Sequence, residues 1–313
     1  MNSQQIGVAI HERSASAMVS AIRYAESANV SMLWLTTGAG PDALTVIAAA
    51  SSVTQRIKLG TAIVPTYPRH PLVMAQQCAD IANLAPGRFV LGLGPSHTTT
   101  IEGRYGLRYD RPLGHLREYV TLVRGLLSGE QVDFTGKHFN VHAKLFYGAD
   151  VPIIVSALRA GSFELAAEIT DGAVTWICPA RYLRDVALPA MEASARKAGR
   201  SRPKLIAHAF LCLTEDANTL ASAVDEYLVH YPRLTNYQEM FVAAGMPEAR
   251  QGSWSARMVE AVLLHGDQAT CERKIADFIR VSGCDELILS LIPTGADRIA
   301  SLHRTLDWVG KIN

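Results

Sequence analysis

Several features that would announce a function are missing from this sequence. Charge of one sign is missing: 30 Lys and Arg against 29 Asp and Glu leave a net +1 at pH 7, so electrostatics gives no reason to expect nucleic acid or an anionic membrane as a partner. Cysteine is sparse. Cys78, Cys178, Cys212, Cys271 and Cys284 stand apart, with no CxxC pair and no Cys/His cluster at metal-ligand spacing, which leads to the expectation of free thiols in a reducing cytoplasm and of no metal. No apolar run reaches the length that crosses a bilayer. The opening residues, MNSQQIGVAIHERS, lack the basic and then apolar order of a secretory leader, so a cytoplasmic location is expected. The first apolar run carries no GxGxxG, which weighs against the dinucleotide-binding version of an open, doubly wound sheet.

What is present is an alternation of strand and helix patterns. Between residues 57 and 97, two apolar, β-branched runs (57–64 and 89–93) flank a segment opened by Pro71, with Met74, Cys78, Ile81 and Ala82 at helical spacing. Strand, helix, strand with a crossover of this length predicts a parallel pair. The runs end in Thr61-Ala62-Ile63-Val64-Pro65 and Gly92-Leu93-Gly94-Pro95-Ser96-His97. Gly lets backbone approach a ligand closely and Pro stops a ladder, so the carboxyl ends of these strands are where a ligand is expected. The same period places further strands at 6–10, 32–35, 151–157, 172–178, 204–213 and 286–292, with helices between them. A polar stretch, TTTIEGRYGLRYDRPLGH, is too charged for a core element; Phe134 to Phe139 resembles a hairpin turn. A long helical region, 215–265, is broken at Tyr231-Pro232 and at Gly245-Met246-Pro247. The expectation is one domain over 1–313, a (β/α)8 TIM barrel with insertions after strands three, four and seven. An open doubly wound sheet is the alternative.

Five strings then occur in order: LGTAIVPTYPRHP, PGRFVLGLGPSH, DRPLGHLREYVTLVRGLLSGE, SALRAGSFELAAEITDGAV and CDELILS. Together they resemble the bacterial luciferase-like monooxygenase superfamily over nearly the whole chain. LGLGPSH followed by IEGRYGLRYDRP is similar to the branch that uses the deazaflavin coenzyme F420. Members that use flavin mononucleotide (FMN) share the same barrel.

The resemblance implies roles residue by residue. It implies a non-proline cis peptide at Ala62-Ile63, with Thr61, Ala62 and Ile63 supporting the coenzyme ring and Thr37 beside the ring's polar edge. Pro95, Ser96 and His97 continue that wall. The turn Ala157-Leu158-Arg159-Ala160-Gly161-Ser162 matches the phosphate-binding loop, a helix start whose free N–H groups suit an anion. Here the chain has Arg159-Ala160 where Gly-Pro is usual. Trp176 and Ile177 are implied to extend the pocket. His97 aligns with a catalytic acid of sugar-phosphate dehydrogenases in the superfamily and is the first candidate for moving a proton; Glu12, with His11, is the second. At the Asp-His pair of those dehydrogenases this chain has Thr37-Gly38, which argues against their chemistry. Arg69-His70 are expected to fix a loop. Glu102, Arg104, Tyr105 and Arg108 form a polar lid able to meet the coenzyme's acidic tail, and His208 is expected as a core histidine with its hydrogen bonds satisfied.

The sequence thus reads as a coenzyme F420-dependent oxidoreductase passing a hydride to or from a small organic substrate, expected to be a homodimer. The alternatives are an FMN-dependent monooxygenase of the same fold, and a flavin- or deazaflavin-binding protein without catalysis.

Overall fold

The computed structural model describes residues 5–312. Eight parallel strands carry the architecture: β1 (Gln5–Ala9), β2 (Met32–Leu35), β3 (Lys58–Thr61), β4 (Phe89–Gly94), β5 (Ile153–Ser156), β6 (Gly172–Val174), β7 (Lys204–Cys212) and β8 (Glu286–Leu291). Each pairs with the next, and β8 pairs with β1, so the sheet closes. This is the expected barrel, and the open-sheet alternative falls on the closing pairs.

A closed sheet has an inner and an outer face, and successive residues of a strand alternate between them. Two apolar cores follow. The outer one joins strands to helices, through residues such as Val8, Leu33, Leu59 and Leu289. The inner one is small: Ala9, Met32, Trp34, Ala62, Ile154, Val174, Ile206 and Ile288. Trp34 dominates it, and the barrel accommodates an indole there because Gly7 and Gly60 lack side chains. A Cβ on either would lie 2.6 or 2.5 Å from the ring.

Helix starts are set by local chemistry. Ser14 caps Ala15–Ser27 by accepting from Ala17 N, and Asp42 caps Ala43–Ser51 by accepting from Thr45 N. In the Arg69-His70-Pro71 string, Arg69 Nη2 donates to Asp42 at 2.8 Å, His70 Nδ1 accepts from Leu72 N, and Pro71 begins the helix Pro71–Leu84. The string fixes the loop after β3, as expected of it. The hairpin is also present, with Val132–Thr135 antiparallel to Asn140–Ala143. Glu118 secures its tip by accepting from the N–H groups of Lys137, His138 and Phe139.

The structure departs from the sequence reading in four places. The polar stretch after β4 contains a helix, Thr98–Tyr105, which buries Ile101 completely; one apolar residue is enough to seat a short helix whose other faces meet water. The end of the same stretch already belongs to the next helix, Pro112–Leu127, because Pro suits a first turn. β6 stops at Val174, since Ile177 takes a left-handed φ of +50° that no strand continues. Finally, the region 215–265 ends in a short strand, Leu263–His265, paired with β7.

Candidate active site

Strand parity defines the mouth of the barrel. Two residues beyond the inner core, the same faces of β1, β2, β5, β6, β7 and β8 carry His11, Thr36, Ser156, Trp176, His208 and Ser290. His11 is solvent-accessible, yet the protein around it depresses its imidazole pKa by desolvation, and His208 feels its charge. Glu12 follows on the same loop, half-buried.

The segment after β3 forms the floor. The Ala62-Ile63 peptide is cis, the geometry implied by the resemblance. Ala62 N donates to Leu35 O at 2.8 Å, and Ile63 O accepts from Thr37 N at 3.1 Å, so this segment is tied to the end of β2 on both sides. Thr61 is buried, and its hydroxyl is committed to Gly92: it accepts from Gly92 N at 2.7 Å and donates to Gly92 O at 2.8 Å. The two strands approach so closely that a Cβ on Gly92 would overlap Thr61 O. Thr61 thus shapes the floor through the backbone it holds. Thr37 differs. Its Oγ1 is buried and has no partner among the described residues, and a buried hydroxyl without a partner carries a desolvation cost that a bound polar group removes. Thr175, just past β6, is in the same state.

On the β4 side, Ser96 has φ +63° and its carbonyl accepts from the Tyr109 hydroxyl at 3.0 Å. His97 is the N-cap residue of Thr98–Tyr105, but its imidazole makes no capping bond. The ring is half-buried beside Tyr237, 5.8 Å between centroids, and burial lowers its pKa, which keeps it neutral at pH 7.

The loop after β5 opens the helix Ala160–Ile169. Ser162 Oγ accepts from Leu158 N and Arg159 N and donates to Arg159 O, so its hydroxyl is engaged in closing the turn. The N–H groups of Ala160 and Gly161, first in the helix, have no acceptor within it and stay available to an anion. Ala157 is buried in the β5–β6 ladder through Val174 O, and Leu158 O accepts from the Tyr182 hydroxyl.

Trp176 stands at the far wall. Its indole stacks on His208 with centroids 3.5 Å apart, and its Nε1 donates to the Tyr231 hydroxyl at 2.7 Å. Phe210, Tyr231 and Tyr237 extend this wall, with Phe210–Tyr231 and Tyr231–Tyr237 centroids 6.5 and 5.1 Å apart. The structure therefore gathers Thr37, Ala62, Ile63, Ser96, His97 and Trp176 at one rim, with the Ala160–Gly161 helix start at the next strand end. Sequence reasoning missed Tyr231 and Tyr237. They sit in a helical stretch, and no spacing rule marks an aromatic that turns back over a barrel. It placed His208 in the core without a role, although alternation along β7 from Ile206 was available as a signal for the inner face.

The residues fit a flat, anionic redox coenzyme on grounds internal to the structure: an orphaned hydroxyl at Thr37, a close glycine-lined floor, and free helix amides one strand away. Comparison with known proteins is consistent with this. A 5,10-methylenetetrahydromethanopterin reductase of Methanolobus tindarius is 28% identical over 211 residues, covering 66% of this chain and 61% of the relative. An F420-dependent glucose-6-phosphate dehydrogenase of Nakamurella multipartita is 35% identical over 177 residues, 54% of this chain and 52% of that protein. The chain thus matches little more than half the length of these relatives. An F420-dependent secondary alcohol dehydrogenase solved with an F420-acetone adduct shares the fold, with a TM-score of 0.84 and 18% identity over 99% of both chains. The family model for luciferase-like monooxygenases matches residues 2–286, and the chain belongs to that family.

Proposed function

We propose that this protein is a coenzyme F420-dependent oxidoreductase that exchanges a hydride with a small organic substrate. One observation supports the reading: the segments after β2, β3, β4 and β5, far apart in sequence but following neighbouring strands of the closed sheet, carry the residues that the resemblance names for the coenzyme. When bound, the deazaflavin supplies the two-electron chemistry. The chain supplies the rest. Thr37 offers a hydroxyl to the polar edge, Ala62 and Ile63 the floor, Ala160 and Gly161 their N–H groups to the phosphate, with Arg159 beside them.

His97 moves the proton. Being neutral at pH 7, it accepts a proton from a substrate hydroxyl during oxidation and returns it during reduction. Glu12 and His11 flank the same mouth. The wall of Trp176, Phe210, Tyr231 and Tyr237 carries no formal charge, which suits an apolar ketone, alcohol or enone better than a sugar phosphate. The same reading takes the enzyme as a cytoplasmic homodimer, checked by sedimentation for a mass twice 33.9 kDa.

Titrating the apo-protein with F420 and with FMN while following coenzyme fluorescence tests the reading. Saturable F420 binding with little FMN binding supports it, and tight FMN binding alone assigns the monooxygenase alternative. With a turned-over alcohol or enone in hand, His97→Ala lowers kcat by a factor of about 100 or more. Unchanged turnover removes His97 from the chemistry, and coenzyme binding without turnover across ketones, enones, imines and alcohols leaves a binding protein.

A further inference from the structure

His208 is completely buried on the inner face of β7, where Phe210 of the same strand meets it edge-on at 5.0 Å, and three further contacts reach the end of β6 and β8. Its Nδ1 lies 3.2 Å from Ile177 N, and its Nε2 lies 2.8 Å from Ser290 Oγ. A backbone N–H only donates, so Nδ1 accepts, and the proton of the neutral ring sits on Nε2 and points at Ser290. Burial, with His11 nearby, disfavours a second proton. The third contact is the stack on Trp176, 3.5 Å between centroids and 14° from parallel.

The residue held by Nδ1 is unusual. Ile177 has φ +50°, a conformation that β-branched residues rarely adopt, and it directly follows Trp176. β6 has ended at Val174, the last backbone bond to β7 runs from Thr175 N to Ile206 O at 2.9 Å, and among the described residues no strand pairing continues to Ile177. We infer that His208 is a positioning residue: by accepting from Ile177 N and stacking on the indole, it holds the left-handed turn that aims Trp176 into the mouth of the barrel. Tyr231, whose hydroxyl receives the indole N–H at 2.7 Å, then registers the crossover after β7 against the same ring. The consequence for coenzyme binding rests on the function proposed above; the orientation of the indole does not.

The test uses the full chain. Hydrogen exchange of the Trp176 indole N–H, identified by its disappearance in Trp176→Phe, reports whether the bond to Tyr231 persists without any ligand. His208→Phe keeps a stacking ring but leaves Ile177 N without an acceptor. Exchange of the indole proton is expected to quicken at least ~10-fold and F420 affinity to fall ~10-fold, the scale of one lost buried hydrogen bond. Adding Ile177→Gly, which adopts positive φ without help, restores indole protection and most of the affinity. A histidine that merely filled space would not be rescued by a glycine elsewhere. His208→Gln, whose amide lies beyond the Nδ1 position, replaces His208→Phe if that variant does not fold. Unchanged indole exchange in the single variants, or a folded double variant with no recovery, overturns the inference. If the wild-type protein binds neither F420 nor FMN, the proposed pocket fails, while the exchange measurement still decides the role of His208.

Discussion

Thr37 and Gly92 show how far single residues can be pressed. The Thr37 hydroxyl is buried and has no partner among the described residues, so under the proposed function its folding contribution and its ligand contribution have opposite signs. Thr37→Val removes a desolvated oxygen at nearly constant shape. It is expected to leave the melting temperature equal or slightly higher while weakening F420 about 5-fold to 10-fold, the scale of one hydrogen bond. A fluorescence titration beside a thermal melt checks both, and lower stability with unchanged affinity would mean the hydroxyl serves the fold. Gly92 answers to packing alone. Its N–H and carbonyl grip the Thr61 hydroxyl, and a Cβ would overlap Thr61 O. Backbone cannot rotate away as a side chain does, so Gly92→Ala is expected to cost about 3 kcal/mol, at the upper end for overpacking. Urea unfolding reads it, and a loss under about 1 kcal/mol would show that the two strands separate more easily than their bonds suggest.

Elements were legible where one local cause decided them. Asp42, Ser14 and Pro71 start helices through capping chemistry that is visible in the string itself. The helix Pro112–Leu127 was legible only in part: its stripe of Leu116, Tyr119, Val120 and Val123 marks a buried face, but nothing in the string shows what His115 meets. In the structure His115 stacks on Tyr67 at 3.9 Å, with His138 and Phe139 at 5.5 and 5.1 Å, and its Nε2 is buried with no partner among the described residues. Desolvation first, then the neighbouring His138, push its pKa down to about 4, against a small opposing pull from Glu118. The sign follows. The folded-state value lies below the unfolded 6.5, so between the two the unfolded chain binds more protons and stability falls as pH falls through that window. One such group contributes a slope of at most about 1.4 kcal/mol per pH unit. His208, His97 and His11 are depressed in the same direction, so the difference between wild type and His115→Phe isolates this one. Denaturant melts from pH 4 to 7 are expected to show the variant gaining on wild type toward acid. Parallel curves would place the acid sensitivity elsewhere.

At the scale of the whole molecule, the barrel was readable because strands buried on both faces appear as short apolar runs at regular intervals. What joins the strands laterally was not readable. Trp34 fills the barrel over Gly7 and Gly60, three residues brought together only by the pairing of β1, β2 and β3. The three-residue strand Leu263–His265 carries too few residues to show a period. The rim has the same character: the positions proposed to face the coenzyme come from the ends of different strands, so the resemblance named them while the string alone did not assemble them. A ligand that bridges several strand ends binds the closed barrel and has no counterpart in the unfolded chain, so its affinity is added to global stability. At 100 times its dissociation constant the gain is about 2.7 kcal/mol. For a chain of this size, at roughly 2 °C per kcal/mol, the melting temperature is expected to rise about 5 °C. F420 should produce that rise, and FMN at the same concentration should not. The reverse order would return the barrel to the oxygen-using side of its family, and a shift with neither would mean that the rim, although assembled, takes a different guest.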